Sequence, residues 1–226
     1  MKNKIRNIRL SCQIVSQILG KVSRNLKSRK TEKEVANEIR KLAKTKADGI
    51  AFQPIVAFGR NSAIPHHRPT VRKLKKGDVA KIDLGVKFDG FCSDLTRTFF
   101  TSEPTKLQLK VYKAVLRAQQ IGIRRIKIGA KAKDLDAAAR EFLARKGFAK
   151  NFIHSLGHGV GRKIHEAPKI GPTSKAILEE GAVITIEPGI YLKGKFGVRI
   201  EDTILLKKSS VEILTKFPKK LTILKI

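Results

Sequence analysis

Lys81-Ile-Asp-Leu-Gly-Val-Lys-Phe-Asp-Gly-Phe-Cys-Ser-Asp-Leu-Thr-Arg-Thr-Phe-Phe100 is the stretch on which the reading of this chain turns. β-Branched and aromatic residues flank Asp89-Gly90, a dipeptide that favours a tight type I′ turn, so the stretch reads as a β-hairpin. With those two residues at the tip, Phe88 pairs with Phe91 and, counting outward, Asp83 with Thr96. Asp94 stands two residues from Thr96 and therefore shares a face with Asp83, diagonally across the ribbon. Two carboxylates on one face repel each other unless a cation lies between them, whether Lys, Arg or a metal.

A second hairpin decides between these. Ala182-Val-Ile-Thr-Ile-Glu-Pro-Gly-Ile-Tyr191 runs up to Gly194 and returns as Gly197-Val-Arg-Ile-Glu-Asp-Thr-Ile-Leu-Leu206. With Gly194 at the tip, Glu187 and Glu201 fall opposite one another, again on one face. The chain holds only 19 acidic residues against 49 basic ones, so two such pairs do not arise from an acid-rich composition. The neighbours of these acids are Ile82, Leu84, Ile186 and Ile200, which mark buried strands where an unpaired carboxylate is costly. Oxygen-rich sites with one imidazole suit two hard or borderline divalent ions. The imidazole is available in His154-Ser-Leu-Gly-His158-Gly-Val-Gly161, whose glycines argue against a helix and for close backbone approach.

These motifs together resemble the catalytic domain of the pita-bread metallopeptidases, the family of methionine aminopeptidase, aminopeptidase P, prolidase and creatinase. The resemblance covers nearly the whole chain. The family's ordered set of Asp, Asp, His, Glu and Glu falls on Asp83, Asp94, His158, Glu187 and Glu201. The wording of Ser93-Asp-Leu-Thr-Arg-Thr98, Gly157-His-Gly-Val-Gly161, Ile164-His-Glu-Ala-Pro168, Ile186-Glu-Pro-Gly-Ile-Tyr191 and Val198-Arg-Ile-Glu-Asp202 is similar to the Xaa-Pro branch more than to the methionine branch.

The resemblance implies hydrolysis of an N-terminal Xaa-Pro peptide bond, with methionine aminopeptidase as the same-class alternative. A metal-free pita-bread protein that binds RNA or nascent chains is the alternative from a different class. The resemblance to the peptidases implies two divalent ions, Mn2+ first, with Co2+, Fe2+ or Zn2+ as alternatives. Asp83 then binds one ion, His158 and Glu187 bind the other, and Asp94 and Glu201 bridge them. Glu187 also shuttles a proton to the leaving amine. Of the remaining histidines, His165 faces the developing oxyanion and His66 the scissile amide, with His67 as a rival to His66. His154 lines the proline side. Arg199, two residues before Glu201 and on its face, is expected at the substrate site and to orient the carboxylates by a bidentate contact. For Arg97 the plainer expectation is a strand-end salt bridge.

The rest of the chain is consistent with one α+β layered domain, 1–226, without a preceding creatinase-type domain. Helix–helix–loop–hairpin occurs twice, which matches the two pseudo-symmetric halves around a curved antiparallel sheet that the resemblance implies. The first half has apolar helical spacing over residues 4–20 and a capping box at Thr31-Glu-Lys-Glu34 that opens a helix ending before Gly49. A strand follows over 50–58, with an irregularity at Pro54. In the second half a helix starts at Pro104, and another runs from Asp134 to Lys146. Val211–Thr215 and Leu221–Ile226 read as closing strands.

Bulk properties narrow the class further. The 226 residues are 41% hydrophobic, and no stretch approaches the roughly 18 apolar residues of a membrane span. Cys12 and Cys92 supply no disulfide framework, so a cytoplasmic, reduced protein is expected. The net charge of +30 favours contact with RNA or another polyanion, but neither an RNA-binding motif nor interleaved aromatics accompanies it. Peptides are the expected partners, and an oligomer is open.

Overall fold

The computed structural model describes residues 2–226. Helices α1 (Lys2–Asn25) and α2 (Glu32–Lys46) lead into β1 (Gly49–Ile50) and β2 (Ile55–Phe58). The Thr31 hydroxyl accepts from Glu34 N–H and the Glu34 carboxylate accepts from Thr31 N–H, the capping box expected at the start of α2. The first hairpin comprises β3 (Val79–Leu84), β4 (Val86–Phe88), β5 (Phe91–Cys92) and β6 (Leu95–Phe100). Its tip holds Asp89 and Gly90 at φ of 50° and 73°, as a type I′ turn requires. Phe88 pairs with Phe91 and Asp83 with Thr96, the expected register.

The second half repeats the plan. Helices α3 (Lys106–Arg124) and α4 (Ala132–Arg145) precede β7 (Gly157–Gly159) and β8 (Glu166–Ile170). The second hairpin comprises β9 (Val183–Ile186), β10 (Gly189–Leu192), β11 (Phe196–Arg199) and β12 (Asp202–Leu206), and β13 (Val211–Ile213) closes the sheet. The main sheets are β2-β3-β6 in the first half and β13-β12-β9-β7-β8 in the second. Each half has a main core, and a third cluster joins Ile8, Cys12, Phe91 and Cys92 of the first to Val160, Val183, Leu205 and Leu214 of the second. Val15, Ile18, Val35 and Ile39 pack on Val56, Ile82 and Phe99 in the first, and Val111, Val115, Leu135 and Leu143 on Ile184, Ile186 and Ile204 in the second. With a period of two, burying Ile82, Leu84, Ile184 and Ile186 against helices turns Asp83 and Glu187 to the opposite face.

Both hairpins break their ladders where the acids sit. Pairing stops after Leu84↔Leu95 and resumes at Lys87↔Cys92; it stops after Asp202↔Ile186 and resumes at Gly189↔Arg199. In each case the register is unchanged across the gap. Pro188 has no N–H to donate within the second gap. In the first, a side chain on Gly85 would run into the Ser93 carbonyl.

Threonine hydroxyls join the halves. Thr98 Oγ1 accepts from Arg199 N–H (3.1 Å) and donates to Arg199 C=O (2.9 Å). Thr203 Oγ1 accepts from Asp94 N–H (3.3 Å) and donates to Asp94 C=O (2.8 Å). These contacts bring β6 beside β11 and β12.

Three expected elements need correction. Leu221–Ile226 forms no strand: only Phe100 engages it, donating N–H to Thr222 C=O and accepting from Leu224 N–H, while Leu224 and Ile226 pack on the first core. The strand expected over 50–58 is two strands separated by a bend. The helix expected at Pro104 starts at Lys106, because Thr105 is its N-cap.

Candidate metal centre

Four of the five expected ligand positions come from the two hairpins. Asp83 lies within β3, Asp94 in the first ladder gap, and Glu187 and Glu201 opposite each other within the second. His158 is the middle residue of β7, a strand and not a helix. Gly157 and Gly159 on either side admit the Thr185 and Ala167 carbonyls, which a Cβ would strike.

A ring nitrogen of His158 and carboxylate oxygens of Asp94 and Glu201 all lie within 4.8 Å of one another. His158 Nε2 is 3.6 Å from Asp94 Oδ2 and 3.3 Å from Glu187 Oε1. Its Nδ1 is 3.0 Å from the Gly159 carbonyl, so the Nδ1 proton donates there and Nε2 is aimed at the carboxylates. Asp83 Oδ2 accepts a hydrogen bond from Arg199 Nη2. Thr96 Oγ1 donates to Glu201 Oε2 at 2.6 Å.

The acids are strained by one another. Burial, then the charges of Glu201, Asp83 and Glu187, push the Asp94 carboxyl far above its usual range. Burial, then Glu187 and Asp83, do the same to Glu201. Glu187 goes the other way: burial opposes its charge, but the hydrogen bond with His158 and the nearby His158 and Arg199 outweigh it, holding it at about 2. Asp83 Oδ1, Asp94 Oδ1 and Glu201 Oε1 are buried and find no hydrogen-bond donor. Orphaned carboxylate oxygens around one aimed imidazole are what hard or borderline divalent cations complete. The donor set fits such ions.

A cavity of about 1020 Å³ opens over the cluster, lined by all five of these residues and by His66, His154 and His165. His165 stacks edge-on against His158, with ring centroids 4.3 Å apart. His66 and His67 both line the cavity; His66 is exposed, whereas His67 is buried and bonded to Glu32 Oε2 at 2.8 Å. His154 Nδ1 donates to the Ser155 carbonyl (2.8 Å), so Nε2 accepts from the Tyr191 hydroxyl (2.9 Å). Burial lowers the His154 pKa to about 4 and keeps the ring neutral around pH 7.

Arg199 differs from expectation. Only 2% exposed, it makes no bidentate contact: Nη2 bonds Asp83, Nη1 bonds Tyr191 and the Pro65 carbonyl, and Nε bonds Thr96. Through these bonds it positions Asp83 directly and Glu201 by way of Thr96, at the wall of the cavity. Arg97 is a buried salt-bridge residue on Asp202 (2.7 Å). Tyr191, which links Arg199 to His154, was missed. Its signal was present, since Tyr191 and the residue paired with Arg199, Gly189, stand two apart on β10 and so share a face.

Two helix-backed halves that bring four carboxylates and the His158 imidazole to one cavity define a protein built to hold divalent metal. The chain belongs to metallopeptidase family M24, whose model matches residues 6–208. It is 40% identical to the Xaa-Pro dipeptidase of Pyrococcus furiosus over 221 residues, which are 97% of this chain and 64% of that one. The crystal structure of a prolidase from Thermococcus sibiricus superposes with a TM-score of 0.97 at 42% identity, covering 99% of this chain and 62% of that one. That of an X-Pro aminopeptidase from Thermotoga maritima gives 0.96 at 37%, covering 99% and 64%. The fold is therefore the expected pita-bread fold. The chain spans less than two thirds of the length of each of these relatives. Among the described residues no helix is long and apolar enough to cross a membrane.

Proposed function

We propose that this chain carries the catalytic unit of an Xaa-Pro-directed metallopeptidase, a hydrolase that cleaves the bond before a proline at the second position. The observation that carries the proposal is the Asp94–His158–Glu201 cluster, with its unpaired carboxylate oxygens, at a cavity also lined by His66, His154 and His165. The names of the relatives support the same substrate class. Asp83 is assigned to one ion, His158 and Glu187 to the second, and Asp94 and Glu201 to both, with Mn2+ as the first choice of metal and Co2+, Fe2+ or Zn2+ as alternatives. When bound, such a pair supplies a hydroxide near neutral pH and polarises the scissile carbonyl.

The chain's own residues do the rest. Glu187 passes a proton to the leaving amine. His165 donates to the oxyanion and His66 to the scissile amide region. A proline in second position offers no N–H, so the pocket must hold it by its ring and carbonyl. His154, neutral and fixed by Tyr191, is assigned to that side.

The relatives' names divide between dipeptidase and aminopeptidase, so the test is a panel of Ala-Pro, Ala-Pro-x, Ala-Ala-x and Met-Ala-x, with Mn2+ and with Co2+. One contact in an apolar pocket is worth about 10–200-fold, and Ala-Pro-x or Ala-Pro should exceed Ala-Ala-x by at least about 10-fold. His154→Ala should shrink that ratio with metal content unchanged. A preference of similar size for Met-Ala-x would assign the chain to the methionine branch instead.

The charge supports a second, weaker contact. Arg29–Thr31 lies antiparallel against Lys73, with Leu74 N–H donating to the Lys30 carbonyl at 2.8 Å. This ribbon and its flanks expose Lys27, Arg29, Lys33, Lys73, Lys75 and Lys76 together. A non-specific polyanion such as RNA is the proposed partner. Binding should be measurable at about 50 mM salt and fall steeply toward physiological salt through counterion release. No binding of a labelled RNA at the low salt would leave these lysines as a solvated face.

A further inference from the structure

Strand β3 reads Val79-Ala-Lys-Ile-Asp-Leu84, and Lys81 shares the face of Asp83. The Lys81 side chain is completely buried. A buried amine needs hydrogen-bond acceptors, and these are two consecutive backbone carbonyls: Nζ donates to Ile64 C=O at 2.7 Å and to Pro65 C=O at 3.3 Å. Nζ also lies 5.0 Å from the centroid of the Tyr191 ring. The Pro65 carbonyl is shared, since Arg199 Nη1 donates to it at 3.3 Å.

The two carbonyls belong to the segment that ends in His66. Pro65 has no N–H, so its carbonyl is the one backbone group through which it can be tethered. Beyond His66 the chain is tied to a second buried group: the Glu32 carboxylate meets His67 Nε2 at 2.8 Å and accepts from Thr70 N–H at 2.9 Å and Thr70 Oγ1 at 2.7 Å. His66 is thus an exposed ring between two buried anchors, Lys81 before it and Glu32 after it.

We propose that Lys81 is a positioning residue for the peptidase reaction, fixing the Ile64–Pro65 carbonyls so that the His66 imidazole is presented to the cavity at a constant place relative to Asp83. The proposal rests on the role assigned to His66 above. An apolar side chain would fill the same volume without the desolvation cost, so what Lys81 adds is the grip on two carbonyls.

The test is Lys81→Met, alone and combined with His66→Ala, read as kcat and KM on Ala-Pro, as bound metal, and as the histidine ring signals in NMR spectra. A misplacement of about 1 Å costs roughly 100-fold, so Lys81→Met should lower kcat by about 10–100-fold with KM and metal content little changed. The His66 ring signal should shift or broaden while those of His154 and His165 hold. In the His66→Ala background the same change should add almost nothing. Full activity in Lys81→Met, or a loss that multiplies with that of His66→Ala, overturns the proposal. If Lys81→Met does not fold, Lys81→Gln, which keeps one donor, takes its place. Failure of both to fold makes Lys81 structural and overturns the proposal too. If the parent protein cleaves no Xaa-Pro peptide, the functional reading fails, and the NMR comparison still decides whether Lys81 sets the place of His66.

Discussion

Asp94→Asn is expected to reduce kcat/KM on Ala-Pro by at least about 1,000-fold and to leave fewer than two ions bound per chain. The size follows from the place of Asp94. Its Oδ2 faces His158 Nε2, its Oδ1 has no donor, and Glu201 lies in the same cluster. In the proposed arrangement this one carboxylate serves both ions, so an amide there weakens both at once. The backbone is held independently by Thr203, so the fold should survive and the loss should be chemical. Elemental analysis of the dialysed variant and steady-state kinetics check both halves of the expectation. Turnover near that of the parent would end the dinuclear assignment.

Asp202→Ala should be the most damaging substitution for stability, at about 3–5 kcal/mol, because it strands a buried cation. Asp202 Oδ1 accepts from Arg97 (2.7 Å) and Thr215 (2.9 Å), and Oδ2 accepts from Gln119 (2.9 Å) and Lys219 (2.7 Å). Arg97 is 2% exposed and also donates to the carbonyls of Thr96, Glu201, Phe217 and Pro218. Without Asp202 its charge stays buried and uncompensated. Exposed pairs such as Arg9–Glu212 should cost about 1 kcal/mol or less when broken. Denaturant midpoints compare the two directly, and a loss below about 1 kcal/mol for Asp202→Ala would refute the buried-pair account.

The register of both hairpins was legible because each tip carries residues that tolerate positive φ, and a tip fixes every pair below it. The faces followed from the period of two. The ladder gaps were not legible. They depend on what approaches from across the ribbon, although Pro188 was a local sign of one of them. Leu221–Ile226 is rich enough in β-branched and apolar residues to read as a strand, but nothing in the sequence says that Phe100 alone pairs with its backbone. The different surroundings of His66 and His67 were not legible, because the bond from His67 to Glu32 spans 35 residues and no local pattern records it. Arg199 was placed near the acids by spacing alone. Its partners Tyr191, Thr96 and Pro65 come from three different elements, so its positioning role emerges only once these meet.

The threonine seam has a consequence for how the molecule comes to exist. Thr98 and Arg199 are 101 residues apart in the chain, and Asp94 and Thr203 are 109. Contacts that distant are favoured only after loop closure, so each half is expected to gather around its own helices before the seam zips. The first half brings two carboxylates and no imidazole to the cluster, while the second brings two carboxylates and the ring. Neither holds the whole set by itself. Metal binding by the full set is thus expected only after the two halves have met, and an ion held by Asp94 and Glu201 would tie them together.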